Sequence, residues 1–176
     1  MKSTARLSLA VQYASTAEHC PTRAQFRRWI KIAMLRDAQI TLRIVDEDEG
    51  RELNRMYRDK DYATNVLTFG YDDDGQTQSG GEGISATGDA AGRLLPPLCG
   101  DVAICAPVVE REAAAQHKEL LAHYAHLVIH AALHLQGYEH ENDHEALEME
   151  TLETALMLKL RYPDPYQPTS VENGCT

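Results

Sequence analysis

Histidine placement is the most chemically suggestive feature of this sequence. Five of its eight histidines fall between His123 and His140, and His144 follows just beyond. Within that stretch runs His130-Ala-Ala-Leu-His134-Leu-Gln-Gly137-Tyr-Glu-His140. Residues four apart leave one helix face with side chains starting about 6 Å apart, so His130 and His134 can reach a single ion. Gly137 is a natural helix stop, and the chain beyond it can turn back to offer His140 as a third ligand. Three neutral imidazoles would leave a fourth tetrahedral position for water, the arrangement of a catalytic rather than a structural zinc. Water held there would drop in pKa towards about 7 and become a usable nucleophile. His126 also lies four residues from His130, but the helix rises about 12 Å from His126 to His134, too far for one ion to gather all three. His126 is therefore expected beside the site, as a supporting or substrate-binding group. His144 could replace His140 only by a longer return from Gly137.

The spacing H-x3-H-x5-H, with Gly137 seven residues after His130, matches the metzincin peptidase pattern H-E-x-x-H-x-x-G-x-x-H. A peptidase places its general-base glutamate directly after the first histidine; this chain has Ala131 there. Glu139 is near in sequence but cannot occupy that place on the helix. A cradle for a metal is present without the proteolytic base. That counts against peptide hydrolysis and for another metal-assisted reaction.

A second motif, Leu53-Asn54-Arg55-Met56-Tyr57-Arg58-Asp59-Lys60-Asp61-Tyr62-Ala63-Thr64-Asn65-Val66-Leu67-Thr68-Phe69, joins a helix end to a strand. Arg58 and Lys60 sit at the junction. A guanidinium binds phosphate with two hydrogen bonds and can stabilise charge on a pentacovalent phosphorane. The plainer alternative is a helix C-terminus that simply favours cations.

The elements that must position these residues follow from periodicity. Alternation predicts strands over 6–12, 39–45, 66–71 and 101–106. Helical spacing predicts a helix from Pro21-Thr22 to about Leu35 with Phe26, Trp29, Ile30 and Ala33 inward. A second helix is capped by Asp46 and runs to about Tyr57, with Leu53, Met56 and Tyr57 inward. From Val108 the period is helical again, with Leu120, Tyr124, Leu127, Val128, Ala131 and Leu135 on one stripe ending at Gly137. A last helix fits Asp143 to about Leu160, with Ala146, Met149, Leu152, Leu156 and Leu160 inward. The expected class is α/β (α+β), a small mixed sheet covered by helices, with a metzincin-like three-histidine site at the end of a long helix. Residues 72–97 hold six of the chain's 11 glycines and read as a flexible insertion between two strands. Residues 1–162 are expected to form one domain, and the proline-bearing tail 163–176 to fray.

The chain has 176 residues and a formal net charge of −10, from 17 Lys+Arg against 27 Asp+Glu. A chain this long buries about 70% of its unfolded surface and needs no disulfide staples. The acidity argues against a general nucleic-acid coating protein. The charge is uneven, however: residues 22–62 carry ten bases against eight acids, while 139–153 hold seven acids and no Lys or Arg. No apolar run approaches the roughly 20 residues of a membrane span. The first residues, with Arg6 inside their only apolar stretch, lack the pattern of a signal peptide. Four cysteines without CxxC pairing are then expected as reduced thiols in a cytoplasm.

Taken together, HAALHLQGYEH and LNRMYRDKDYATNVLTF resemble the YbeY family of bacterial endoribonucleases and rRNA maturation factors. Its motifs are similar to H-G-x-L-H-L-x-G-Y-D-H and L-N-x-x-Y-R-x-K-D-x-x-T-D-V-L-S-F. Leu98-Cys99-Gly100-Asp101-Val102 resembles the family's L-G-D-I strand, and His126, Glu145-Ala146 and Met149 also fall where the family places them. The resemblance implies His130, His134 and His140 as ligands of one Zn2+ per chain and Arg58 as an essential catalytic residue. It further implies cleavage of single-stranded RNA, small-subunit (16S) rRNA 3′-end maturation and ribosome quality control. The partners would be rRNA and the small ribosomal subunit with its associated proteins, with no membrane and no DNA. Lys60 and His126 are expected to bind substrate. This chain departs from the family at Ala131 for Gly, where the added methyl would narrow the cleft floor, and at Glu139 for Asp, Asn65 for Asp and Thr68 for Ser. Two rivals stand beside this reading: a non-catalytic, zinc-stabilised ribosome assembly factor, and a metallopeptidase. Three histidines also suit nickel, copper or iron.

Overall fold

Three parallel strands, β1 (Leu7–Tyr13), β2 (Ala38–Val45) and β5 (Leu98–Cys105), lie side by side, with Leu42 opposite both Val11 and Val102. The computed structural model that shows this describes residues 5–71, 77–78 and 96–168. β3 (Val66–Tyr71) runs antiparallel to β5, and the two-residue β4 (Thr77–Gln78) pairs with β3, giving the order β1-β2-β5-β3-β4. The small mixed sheet covered by helices is as the sequence implies. The rest of the 72–97 insertion lies outside the described residues, apart from Pro96 and Pro97, and so do tail residues 169–176.

Successive strand residues face opposite sides, so register divides the sheet into two faces. Leu7, Val11, Ile40, Leu42, Ile44, Val102 and Ile104 are buried together under two helices, α1 (Arg23–Ala33) and α4 (Leu120–Leu135). Thr22 begins α1 with a capping box: its hydroxyl accepts from the Gln25 N–H at 3.3 Å, and its own N–H donates to Gln25 Oε1 at 2.8 Å. α4 is buried on most of its circumference, so it is a core helix and not a surface one. Gln136, at its end, ties it to α1. Its Oε1 accepts from the Leu35 N–H at 2.9 Å, and its Nε2 donates to the Ala33 carbonyl at 2.9 Å and the Ala132 carbonyl at 3.0 Å.

The other face is partly open, with α2 (Glu47–Arg58) lying over the Cys105 end of β5. Gly50 permits this approach, because a Cβ there would stand 3.2 Å from Cys105 Sγ. Two expectations about α2 are corrected. Asp46 occupies the N-cap but makes no cap bond; its carboxylate accepts instead from the Ser15 hydroxyl and the Thr16 N–H. Met56 and Tyr57 are not inward but 66% and 49% exposed, because the helix rests on Gly50 and Asn54. Asn54 Nδ2 donates to the Tyr62 carbonyl at 2.7 Å and holds the loop that follows.

α3 (Ala106–Ala115) continues directly from β5, and α5 (Asp143–Lys159) opens with the Asn142 side chain accepting from the Glu145 N–H at 3.0 Å. Among the described residues, no helix is long and apolar enough to cross a membrane. Cys20, Cys99 and Cys105 are free thiols.

Candidate metal centre

His126, His130 and His134 rise along the one side of α4 that is not fully packed. The helix then ends in a Schellman turn. Gly137 takes a φ of 90°, its N–H donates to the His134 carbonyl at 2.9 Å, and the Tyr138 N–H reaches the Leu133 carbonyl at 3.2 Å. That reversal carries His140 back over the helix end. Its ring centroid lies 5.7 Å from that of His130 and 5.0 Å from that of His134. One ring nitrogen from each of His130, His134 and His140 lies within 4.8 Å of the others. His144 stands exposed in the first turn of α5, outside this group.

Tautomers decide what the group can hold. His130 Nδ1 donates to Glu153 Oε1 at 2.6 Å, which puts the lone pair of that neutral ring on Nε2. That Nε2 faces the Nε2 of His134 at 3.0 Å. Two imidazole nitrogens so placed can share one cation. Ligands on a tetrahedral zinc stand about 3.3 Å apart, from a Zn–N bond of about 2.0–2.1 Å. The donor set therefore fits a borderline-soft divalent ion. Burial, reinforced by His130 and His140, lowers the His134 pKa to about 4, which keeps its ring neutral at pH 7.

Behind the histidines lies a carboxylate that periodicity alone did not reveal. Glu153 is 0% exposed. Its Oε2 accepts from His126 Nε2 at 2.8 Å and from the Tyr166 hydroxyl. Burial pushes its pKa up, but the bonds from His126 and His130 outweigh burial and hold it at about 2. The tail that carries Tyr166 is fastened nearby: Lys118 Nζ donates to the Pro165 carbonyl at 2.9 Å, and the Thr154 hydroxyl bonds Asp164. Met149, Glu153 and Met157 form one buried row at helical spacing, and an acid inside such a row is the signal that could have exposed Glu153.

The remaining site candidates are placed differently. Arg58 ends α2 and Lys60 follows it; both are exposed, and no hydrogen bond, ion pair or ring contact joins either to the three histidines. Ala131 is 1% exposed, so its methyl points into the core and does not narrow a cleft. Glu139 Oε2 approaches His134 on the Nδ1 side, at 3.6 Å, away from the converging Nε2 atoms.

A family profile described as Endoribonuclease YbeY matches residues 10–161. The chain belongs to the YbeY family. Among YbeY relatives, the protein named Endoribonuclease YbeY from Nitrosospira multiformis is 54% identical, over 92% of this chain and 82% of its own length. The one from Thiobacillus denitrificans is 50% identical, over 91% and 96% respectively. The solution structure of TM1509 from Thermotoga maritima is also similar, with a TM-score of 0.48 and 20% identity over 89% of this chain and 99% of that one.

Proposed function

We propose that this chain is a zinc-dependent, single-strand-specific endoribonuclease of the cytoplasm, acting in small-subunit (16S) rRNA 3′-end maturation and ribosome quality control. The observation that carries the reading is the pair of facing Nε2 atoms on His130 and His134, with His140 beside them, in a chain whose relatives are named endoribonucleases. These three rings would hold one ion per chain. A bound divalent ion would supply Lewis acidity towards a phosphoryl oxygen or an attacking water. Arg58 is the group assigned to grip the scissile phosphate, because a guanidinium gives two parallel hydrogen bonds and keeps its charge at every working pH. Lys60 adds a second cation for the same strand, and His126 borders the site.

The test begins with metal analysis of protein purified without chelator or affinity-tag nickel. One equivalent of zinc should then support cleavage of single-stranded RNA and not of duplex. Chelation and His134→Ala should abolish it. Arg58→Ala should retain zinc and lose on the order of 100-fold or more in rate. A 2′,3′-cyclic phosphate end would assign attack to the RNA 2′-hydroxyl and rule out direct attack by water. No cleavage by zinc-loaded protein, with unchanged cellular function in His134→Ala, sinks the enzymatic reading.

One observation favours a second reading. The histidines, Glu153 and Tyr166 join α4, α5 and the tail, as a purely structural metal would require. A zinc-stabilised assembly factor would melt far lower without its metal and keep its cellular function in Arg58→Ala. A peptidase is disfavoured, since the position of its base is a core alanine.

A further inference from the structure

Three donors converge on one buried carboxylate: His130 Nδ1 on Glu153 Oε1, and His126 Nε2 and the Tyr166 hydroxyl on Oε2. A carboxylate is the side chain that can accept all three, because it has two acceptor oxygens and no hydrogen when ionised. Of the three rings in the candidate metal group, His130 is the one it touches. The bond fixes His130 as the Nδ1–H tautomer and turns Nε2 towards His134 and His140. Glu153 itself is held from three sides. His126 comes from one turn earlier on α4, and Tyr166 comes from the tail, where Lys118 and Thr154 anchor the neighbouring residues. His126 and Tyr166 also meet directly, with Nε2 and hydroxyl 3.3 Å apart and ring centroids 5.3 Å apart.

We infer that Glu153 is the positioning residue of the metal centre, and that Tyr166 and His126 brace it, so that the C-terminal tail takes part in setting metal affinity. The inference rests on the three-histidine metal reading and goes beyond it. Partners of this kind, which orient a ligand histidine and raise its basicity, typically contribute a factor of about 10–100 in metal affinity. The single negative charge also partly balances a dication whose three direct ligands are neutral. In this arrangement the Nε2 proton of His126 is committed to Glu153, which makes His126 a brace and removes it from direct contact with substrate.

Zinc affinity of the full chain, measured by competition with a chromophoric chelator, tests this without any RNA. In Glu153→Gln an NH2 replaces one of the two acceptor oxygens, so at least one of the three donors meets another donor. Zinc binding should weaken about 10–100-fold. Tyr166→Phe removes one hydroxyl from a position that is 45% exposed, and should weaken zinc in the same direction by a smaller factor. Thermal melts of the metal-free proteins separate positioning from folding: affinity should fall even where the metal-free melting temperature matches the wild type. The inference is overturned if either variant binds zinc as tightly as the wild type. Should Glu153→Gln fail to fold, Tyr166→Phe decides alone by the same criterion. A wild-type chain that takes up no zinc overturns the metal centre and this inference together. Zinc uptake without RNA cleavage overturns only the nuclease reading.

Discussion

Asn65 sits where three elements meet. Its Nδ2 donates to both oxygens of Glu112 on α3, at 3.0 and 3.2 Å, while its Oδ1 accepts from the Val66 N–H at 2.7 Å as β3 begins. Glu112 in turn meets the buried His123 of α4 at 2.9 Å. An amide can serve a carboxylate and a backbone N–H at once; a second carboxylate could serve only the N–H. Asn65→Asp, which restores the residue of the family motif, should therefore destabilise this particular chain, by on the order of 1–3 kcal/mol at pH 7. Two carboxylates in contact raise a carboxyl pKa above its unfolded value of about 4. The cost is thus present above the raised value and fades as pH falls through it. Denaturant midpoints of variant and parent should converge between pH 7 and about pH 4, whereas a gap independent of pH would refute the contact. This network, like Glu153, was illegible in the sequence for a physical reason. An isolated Asn, Glu or His carries no periodic signature, and its partners lie 11 and 47 residues away along the chain. The ligand-like histidines were legible because their spacing is itself the geometry.

At the scale of elements, the gathering of His130, His134 and His140 depends on how α4 stops. The apolar stripe and the glycine made both the helix and its end readable, since each follows from local sequence. Less readable was which side of α5 and α2 faces inward. The stripe on α5 is centred on Met149, Glu153 and Met157, beside the expected Leu152 and Leu156, because a buried acid was counted as surface. α2 approaches the sheet through Gly50, a residue that apolar patterns do not score. The Schellman turn at Gly137 permits a sharp prediction. An L-residue forced into that left-handed conformation costs about 1–2 kcal/mol. Gly137→Ala should lower stability by that amount without metal, and by more with zinc bound, because the same turn brings His140 to its partners. Melting curves with and without zinc measure the difference. An equal loss in both states would mean that the turn does not set the position of His140.

For the whole molecule, the net charge of −10 conceals where the cations stand. Arg55, Arg58 and Lys60 are exposed at the end of α2 and beyond it, and none forms an ion pair among the described residues. Segment 139–153, which holds His140 and His144, is strongly acidic, with Glu141, Asp143, Glu148 and Glu150 exposed. On the proposed function, three neutral rings would leave the charge of a bound dication largely uncompensated, with Glu153 as the one buried acid among the described residues. On the proposed function, such a distribution disfavours RNA in general and admits a strand only where cations and metal line its path. Affinity for free RNA should accordingly be weak and salt-dependent. Each phosphate contact to a single strand contributes about 0.7 to the slope of log affinity against log salt, so three contacts give a slope of about −2. Binding should then weaken roughly 20-fold between 50 and 200 mM salt, and Arg58→Ala should reduce the slope by about 0.7. Titrations of a labelled single strand at several salt concentrations, with zinc-loaded protein and cleavage blocked by a non-hydrolysable backbone, supply both numbers. Tight binding to arbitrary RNA that ignores salt would contradict the charge argument. An unchanged slope in Arg58→Ala would remove that residue from the path of the strand. With affinity this modest, targeting must come from the larger context of the substrate, which is why a ribosomal partner belongs to the proposal.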